Sequence, residues 1–141
     1  MKKIAIVNGP NLNLLGSRET SVYGSTTFEE YFEKLKMDFP DIQLDLAQNN
    51  VEGELVNLIQ QFGKSHHGIV LNAAAYTHTS VAIADAIAAI DTPVLEVHIS
   101  NIYAREEFRQ TSLSAPNCIG IISGLGLHGY HHAISHFKQF V

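Results

Sequence analysis

Cysteine and arginine are both scarce in this chain of 141 residues, which contains one cysteine, Cys118, and three arginines. A single cysteine excludes an intramolecular disulfide framework and a cysteine-based zinc site. Lysine and arginine together number 9 against 14 acidic residues, so the formal net charge is -5. A mildly acidic chain without a basic run is a poor nucleic-acid binder, so no nucleic-acid partner is expected.

Long hydrophobic runs are missing as well. The basic pair near the N-terminus is followed only by the apolar run Ile4–Val7 before Asn8 interrupts it. That run is too short for a signal-peptide core or a membrane span, so the sequence predicts a cytoplasmic protein without a membrane segment. Neither repeats nor low-complexity segments divide the chain, and its length predicts a single domain over residues 1–141.

Short apolar runs bounded by turn residues alternate with segments of helical period, which is typical of βαβ units and a parallel sheet. Five strands are predicted, over Lys3–Asn8, Ile42–Ala47, Gly68–Asn72, Val94–Ile99 and Cys118–Ser123. Four helices are predicted from apolar stripes over residues 28–39, 51–62, 81–90 and 127–141, the second of them closed by Gly63. The pattern predicts an α/β flavodoxin-like three-layer sandwich with a five-stranded parallel sheet.

In such a fold, ligands bind beyond the carboxyl ends of the strands. Glu96 and His98 lie two residues apart in the fourth predicted strand, so strand periodicity places them on the same face. A carboxylate beside an imidazole can fix its tautomer and favour its protonated form, which suits a general acid. A buried structural pair without a catalytic role would have the same spacing, and both interpretations stay open.

Arg105 and Arg109 are four residues apart and would share one face of a helix, where they could bind a carboxylate. A solvated helix face is the alternative, but all three arginines lie in segments next to the predicted ligand edge. His78 stands just before a predicted helix N-terminus, where free N–H groups can meet an anion. It is therefore either a ligand-binding residue or a loop or capping residue.

The loop after the first strand, Asn8–Gly16, contains three asparagines, a proline and two glycines. Such a loop can hold a neutral, hydroxyl-rich ligand, although these residues are also common in ordinary turns. The polar Asn72 ends the third strand at the same edge. The following segment, Ser17–Gly24, is predicted to be a mobile loop and carries Arg18 and Tyr23.

Two further patterns have structural interpretations that we favour. Gly124–Gly129 matches the G-x-G-x-x-G pattern of dinucleotide-binding loops, but no acidic residue follows about 20 positions later. We expect these glycines to allow tight packing between strand and helix. Histidines 128, 131, 132 and 136 have spacings seen in metal sites, yet they fall on the polar side of the last helix, so a surface or subunit-contact role is favoured over a metal site.

Six stretches of the chain occur in the order and spacing of one enzyme family: Asn8–Gly16, Tyr23–Gly24, Asn72–Ala73, Thr77–Ser80, Glu96–Asn101 and Arg105–Arg109. Together they resemble type II 3-dehydroquinate dehydratase over nearly the whole chain. The resemblance implies the anti elimination of water from 3-dehydroquinate to 3-dehydroshikimate through an enolate, in the shikimate route or in quinate breakdown. It also implies that no cofactor or metal is used, and that the enzyme is a homododecamer, a tetramer of trimers.

The resemblance also implies a role for each matching residue. Tyr23 corresponds to the base and His98 to the acid that protonates the departing hydroxyl, with Glu96 beside it. Arg18 corresponds to the residue that supports the base, and Asn11 to the amide that holds a water against the enolate. The positions that correspond to substrate-binding residues are Asn72, His78, Ile99, Ser100 and Arg109, together with Asp85 from an adjacent subunit.

The chain departs from the family pattern at three places. Thr20 stands where a proline is common, and Ala84 stands before Asp85 where an arginine is usual, which removes a charge at the implied subunit contact. The stretch Gln110–Leu113 differs from the common version after Arg109, and none of the three departures is expected to touch the acid or the base.

The chemistry implied by the resemblance can be compared with other classes. None of the six lysines lies in a predicted site motif, which argues against an imine mechanism. A flavodoxin-like carrier needs a hydroxyl-rich phosphate loop after the first strand, and the asparagine- and leucine-containing loop here does not fit that class. A phosphoacceptor receiver domain needs acidic residues at the ends of the first and third strands, and Asn8 and Asn72 at those positions argue against it. A free tyrosine titrates near pH 10, and lowering that value by two units requires about 2.7 kcal/mol, which an adjacent guanidinium such as that of Arg18 can supply.

Overall fold

A five-stranded parallel sheet forms the centre of the computed structural model, which describes residues 1–17 and 24–141. The strands are β1 (Lys2–Asn8), β2 (Ile42–Gln48), β3 (Gly68–Asn72), β4 (Val94–His98) and β5 (Gly120–Ser123). All five predicted strands are confirmed to within two residues at each end. The strand order β2-β1-β3-β4-β5 is that of a flavodoxin-like fold, as predicted.

Four α-helices cover the two faces of the sheet. They are α1 (Phe28–Asp38), α2 (Glu52–Ser65), α3 (Val81–Ala88) and α4 (His128–Phe140). Apolar residues of α1 and α4 pack in one core cluster, and those of α2 and α3 pack in another on the opposite face. Short 3-10 turns over Leu12–Leu14, Ala74–His78, Ile102–Ala104, Glu107–Gln110 and Ala115–Asn117 lie between these elements.

Alternation along β1 divides the core between the two layers. Ile4 and Ile6 belong to the cluster under α1 and α4, whereas Ala5 and Val7 belong to the cluster under α2 and α3, and all four are fully buried. Successive side chains of a strand point to opposite faces, so a continuous apolar run is what a strand covered on both sides requires.

Helix ends follow the sequence signals in part. Thr27 Oγ1 accepts a hydrogen bond from the backbone N–H of Glu30 at 3.2 Å, which is the capping interaction predicted for α1. The prediction that Gly63 closes α2 is wrong, because the helix continues to Ser65. Gly63 instead lets α2 approach Ile90, since a Cβ at residue 63 would lie 2.6 Å from Ile90 Cγ2.

The glycine-rich stretch after β5 is a packing device, as expected. A Cβ added to Gly129 would lie 3.2 Å from Val97 Cγ1, so the glycine lets α4 begin directly on β4. Gly124 and Gly126 have φ values of 90° and 62°, in the left-handed region that glycine adopts without strain. Within the described ranges, no helix combines the length and apolar character needed to cross a membrane.

Candidate active site

An open pocket of about 780 Å³ lies beyond the carboxyl ends of β1, β3 and β4. Its lining brings together most of the site residues predicted within the described ranges, namely Asn11, Asn72, His78, His98, Ile99, Ser100 and Arg109, with Arg105 beside them. Strands β1 and β3 are neighbours although β2 lies between them in sequence, so the pocket opens at the switch point of the sheet.

His98 is the imidazole at the floor of this pocket, and it is 5% exposed. Its Nε2 lies 2.7 Å from Oε2 of Glu96, which is two residues earlier on β4. The Glu96 side chain is fully buried. An ionised carboxylate can only accept, so Nε2 carries the hydrogen in this contact. The remaining ring nitrogen, Nδ1, is then the one that can exchange a proton with a ligand.

Glu96 is ionised despite its burial. Desolvation opposes the charged form, but the hydrogen bonds from His98, Ser114 and Ser112 and the charge of His98 together outweigh it and hold the pKa of Glu96 below its ordinary value. The negative charge also acts on the single cysteine, because burial first and the Glu96 charge second raise the pKa of Cys118 to about 12. Cys118 is therefore a thiol and not a nucleophile.

Ser112 and Ser114 are partners of Glu96 that the sequence interpretation missed. Ser112 Oγ lies 3.0 Å from both Oε1 and Oε2, and Ser114 Oγ donates to Oε1. The stretch Gln110–Leu113 was expected not to touch the acid or the base, and its Ser112 contacts instead the Glu96 carboxylate beside the acid. The sequence carries no periodic signal for this role, because residues 113 and 114 form a bend in which Ser114 has a helical backbone conformation.

His78 lines the pocket next to His98. Its Nδ1 donates to the backbone carbonyl of Thr111 at 2.8 Å, which leaves Nε2 as the ring nitrogen available to a ligand. The residue lies at the end of the 3-10 turn Ala74–His78 and not directly at an α-helix N-terminus. The ligand-binding interpretation of His78 is therefore compatible with its position, but through its ring and not through a helix end.

The two arginines of the pocket do not lie on one helix. Arg105 follows the turn Ile102–Ala104, and Arg109 lies in the separate turn Glu107–Gln110, so the predicted shared helix face is wrong. Both nevertheless line the pocket. Arg109 Nε donates to Glu106 Oε2 at 3.1 Å, so one nitrogen of its guanidinium is engaged and the other edge can face an anion.

Asparagines at the strand ends form a buried hydrogen-bonded network. The Tyr130 hydroxyl of α4 donates to Asn8 Oδ1 at 2.8 Å and accepts from Asn72 Nδ2 at 2.9 Å. Burial raises the pKa of Tyr130 far above its ordinary value, so this hydroxyl stays neutral. Asn72 keeps a second N–H for the pocket that it lines.

Two backbone positions at the pocket are in an uncommon conformation. Asn11 and Ala74 have φ values of 71° and 52°, and they are the non-glycine residues of the described chain with positive φ. Both line the pocket. Asn11 is held there by its own N–H, which donates to Asn50 Oδ1 at 3.0 Å, so the loop after β2 supports the loop after β1. Such strained positions concentrate at functional sites.

Of the predicted site residues that the structure describes, Glu96 and Asp85 do not line this pocket. Arg18, Tyr23 and most of the loop predicted over 17–24 lie outside the described residues. Asp85 lies on the exposed side of α3 and does not line the pocket. Within the ranges 1–17 and 24–141, no three His, Cys, Asp or Glu side chains are grouped as a metal site would require, the α4 histidines included.

Comparison with known proteins gives a consistent result. The sequence profile described as "Dehydroquinase class II" matches residues 2–138. A 3-dehydroquinate dehydratase of Fusobacterium nucleatum is 49% identical, with 98% of this chain and 97% of that protein aligned. One of Campylobacter jejuni is 54% identical over 94% of this chain and 84% of its own length. The chain belongs to the class II dehydroquinase family.

Solved structures agree with this class II dehydroquinase assignment. The crystal structure of the type II dehydroquinase of Butyrivibrio crossotus superimposes with a TM-score of 0.94 at 42% identity and covers 98% of both chains. That of Propionibacterium acnes gives a TM-score of 0.91 at 40% identity, with 96% and 94% covered. The α/β fold of this class II dehydroquinase is therefore the one seen in solved type II dehydroquinases.

Proposed function

We propose that this class II dehydroquinase is a hydro-lyase that removes water from 3-dehydroquinate and gives 3-dehydroshikimate. The observation that carries the proposal is that one pocket is lined both by His98, which contacts the buried Glu96, and by Arg109. An acid for a leaving hydroxyl and a cation for a carboxylate are two groups that this elimination needs. Relatives about half identical in sequence carry the same activity in their names.

The first step is removal of a proton from the carbon next to the ketone. We assign this proton transfer to the phenolate of Tyr23, with the Arg18 guanidinium beside it stabilising the anion. The electron pair moves onto the ketone oxygen and forms an enolate. Asn11, on the loop after β1, holds a water against that oxygen, which spreads the developing charge.

The second step expels the β-hydroxyl. The enolate electrons re-form the ketone and the carbon–carbon double bond while the carbon–oxygen bond breaks. His98 supplies the proton with which the hydroxyl leaves as water, and Glu96 stabilises the imidazolium before that transfer. The proton taken by Tyr23 and the one given by His98 balance, so the reaction needs no oxidant or reductant, and the proposal includes no cofactor or metal.

The remaining pocket residues hold the substrate. Arg109 binds the carboxylate in a two-point contact, because the guanidinium fork matches carboxylate geometry. Hydroxyl and ketone groups of the substrate are matched by side-chain amide and imidazole groups and by backbone N–H groups. We assign these contacts to Asn72, His78, Ile99 and Ser100.

The assembly and location are further parts of the proposal. We infer a homododecamer built as a tetramer of trimers from a single catalytic domain, residues 1–141, located in the cytoplasm. Asp85 supports this assignment because it is exposed on α3, outside the pocket of its own chain, where it could reach a neighbouring site. The shikimate route is the setting that follows from the reaction.

Absorbance of the conjugated enone tests the activity directly. Purified protein mixed with 3-dehydroquinate, with no added cofactor and with a chelator present, should produce a steady rise in enone absorbance. Tyr23→Phe should fold, bind substrate and lose most turnover, because it lacks the ionisable hydroxyl. Absence of product with the native chain would overturn the proposed reaction, and near-normal turnover of Tyr23→Phe would overturn the base assignment.

A covalent route is tested separately. An enolate mechanism leaves no bond between enzyme and substrate, so borohydride added during turnover should trap nothing. A mass increase equal to the reduced substrate would instead point to an imine on a lysine, and the enolate mechanism would have to be abandoned.

A further inference from the structure

A short segment between β4 and β5, residues 111–114, contacts His78 directly and contacts Glu96, the partner of His98. The carbonyl of Thr111 accepts from His78 Nδ1 at 2.8 Å. The N–H of Leu113 donates to the carbonyl of Thr77 at 2.9 Å, which fixes the segment against the turn that carries His78. Ser112 and Ser114 reach Glu96 from the same segment.

The direction of the Ser112 hydrogen bond is determined by its surroundings. Its Oγ accepts from the backbone N–H of Ala115 at 3.0 Å, so the hydroxyl hydrogen remains available for another acceptor. That acceptor is the Glu96 carboxylate, whose two oxygens are both 3.0 Å from Oγ. Ser112 is therefore a donor to the carboxylate.

Ser114 completes the shell around Glu96. Ser114 is 1% exposed, and its hydroxyl donates to Oε1. The carboxylate thus accepts from Ser112, from Ser114 and from His98 Nε2. A fully buried carboxylate would otherwise be driven to take up a proton. Each serine hydroxyl therefore favours the anion.

We propose that Ser112 and Ser114 are positioning residues that hold Glu96 as an oriented anion, so that His98 keeps its hydrogen on Nε2 and presents Nδ1 to the substrate. The inference rests on the proposed dehydration, for which His98 is the acid. Neither serine lines the pocket, so they act through Glu96 and not by touching the substrate. Ser112 lies within the departure at 110–113, and Ser114 directly follows it.

Few other charged groups act on Glu96. His98 lies on the same strand, and the His78 ring stacks beside it. Cys118 lies two residues before β5, and burial and the Glu96 charge raise its pKa to about 12, so it stays neutral. The α3 helix packs against the turn Ala115–Asn117 and carries Asp85, which is exposed. Among the described residues, burial opposes the Glu96 anion, and His98 and the two serines favour it.

Loss of a serine hydroxyl should move the pH dependence of turnover. With one donor removed, the anion is less stabilised, so Glu96 takes up a proton at higher pH and its ion pair with the His98 imidazolium is lost there. In Ser114→Ala, the acidic limb of the plot of kcat against pH should shift to higher pH by about one unit, the size expected for the loss of one hydrogen bond to a carboxylate. Ser112→Ala/Ser114→Ala should move it further.

Conservative and remote variants separate positioning from folding. Ser114→Thr keeps the hydroxyl and should restore the native pH profile. Thr92→Val removes a hydroxyl hydrogen bond of 2.9 Å to the Gly63 carbonyl at the amino end of β4, away from the pocket, and it should leave the profile unchanged. If Ser114→Ala fails to fold, Ser112→Ala and Ser112→Thr provide the same comparison.

Nitrogen NMR of histidine-labelled protein gives a readout that needs no turnover. In the native chain the neutral His98 ring should have its hydrogen on Nε2, and the double variant should contain both tautomers. An unchanged acidic limb together with an unchanged tautomer would overturn the inference. Failure of the native chain to form enone would overturn the proposed function instead, and the tautomer would still decide whether the serines orient His98.

Discussion

His78 and His98 lie side by side at the pocket, with ring centroids 6.3 Å apart and planes inclined by 20°. They reach this arrangement from different supports, because His78 donates to the Thr111 carbonyl and His98 contacts Glu96. Because the Nδ1 hydrogen of His78 is donated to a carbonyl, His78 presents Nε2 to a substrate hydroxyl, whereas His98 presents Nδ1.

Replacing each histidine should therefore affect different kinetic constants. His98→Ala should lower kcat by about 10²–10⁴-fold, the usual contribution of a general acid, with a smaller effect on KM. His78→Ala should mainly raise KM, because it removes a substrate contact and leaves the acid in place. Steady-state kinetics at several substrate concentrations distinguish the two, with the exposed His132→Ala as a matched control. Equal effects of both variants on kcat would contradict these separate roles.

Arg109→Lys should behave almost like Arg109→Ala. A lysine keeps the positive charge but cannot make two parallel hydrogen bonds to a carboxylate, so most of the binding should be lost. We expect KM for 3-dehydroquinate to rise by about tenfold or more in either variant, since one charge-assisted hydrogen bond is worth about 1.5–3 kcal/mol. A lysine variant with native KM would show that Arg109 acts only as a point charge.

Gly9→Ala should damage both stability and activity. A Cβ at residue 9 would lie 2.6 Å from the carbonyl oxygen of Ala73, a backbone atom that cannot swing away. The loops after β1 and β3 would have to separate, which costs about 1–3 kcal/mol by analogy with overpacked cores and displaces Asn11. Urea unfolding and kcat measure the two effects.

A matched glycine provides the control for that substitution. Nothing lies within 4 Å of a Cβ added to Gly53 on α2, so Gly53→Ala should be neutral or stabilise the chain by up to about 1 kcal/mol. If Gly9→Ala proved as harmless as Gly53→Ala, the close approach of the two loops would be wrong.

Acid unfolding should depend on Glu96. Its pKa in the folded chain is below the ordinary value of 4.5, so its stabilising contribution is fully present above pH 4.5 and is lost as pH falls through the folded-state pKa. Glu96→Gln should therefore have a free energy of unfolding that varies less with pH below 4.5 than that of the native chain. Parallel curves for the two proteins in urea titrations between pH 6 and 3 would contradict this assignment.

The sheet and most of the pocket could be predicted because they rest on local signals. Apolar runs such as Ile4–Val7 mark strands covered on both faces, and polar residues such as Asn8 and Asn72 mark their carboxyl ends. Strand periodicity alone placed Glu96 and His98 side by side. These patterns depend only on neighbours in sequence, so the strand bounds and the Glu96–His98 contact were correct.

The segment between β4 and β5 was less predictable because it has no regular period. Its short 3-10 turns set Arg105 and Arg109 on separate elements, although their spacing indicated one helix. Ser112 and Ser114 resemble ordinary loop serines, and their role depends on a carboxylate some 16 to 18 positions earlier. Gly63 likewise resembled a helix stop because its contact with Ile90 is made in space and not in sequence.

The contacts of Tyr130 imply that the pocket is completed only late in synthesis of the chain. Its hydroxyl joins Asn8, at the end of the first strand, to Asn72 at the end of the third, although Tyr130 of helix α4 follows Asn8 by 122 positions in the chain. Until that helix has left the ribosome, both asparagines lack this partner, and the strand ends that form the pocket edge are incomplete. A nascent chain with all five strands already outside the ribosome should therefore still be inactive.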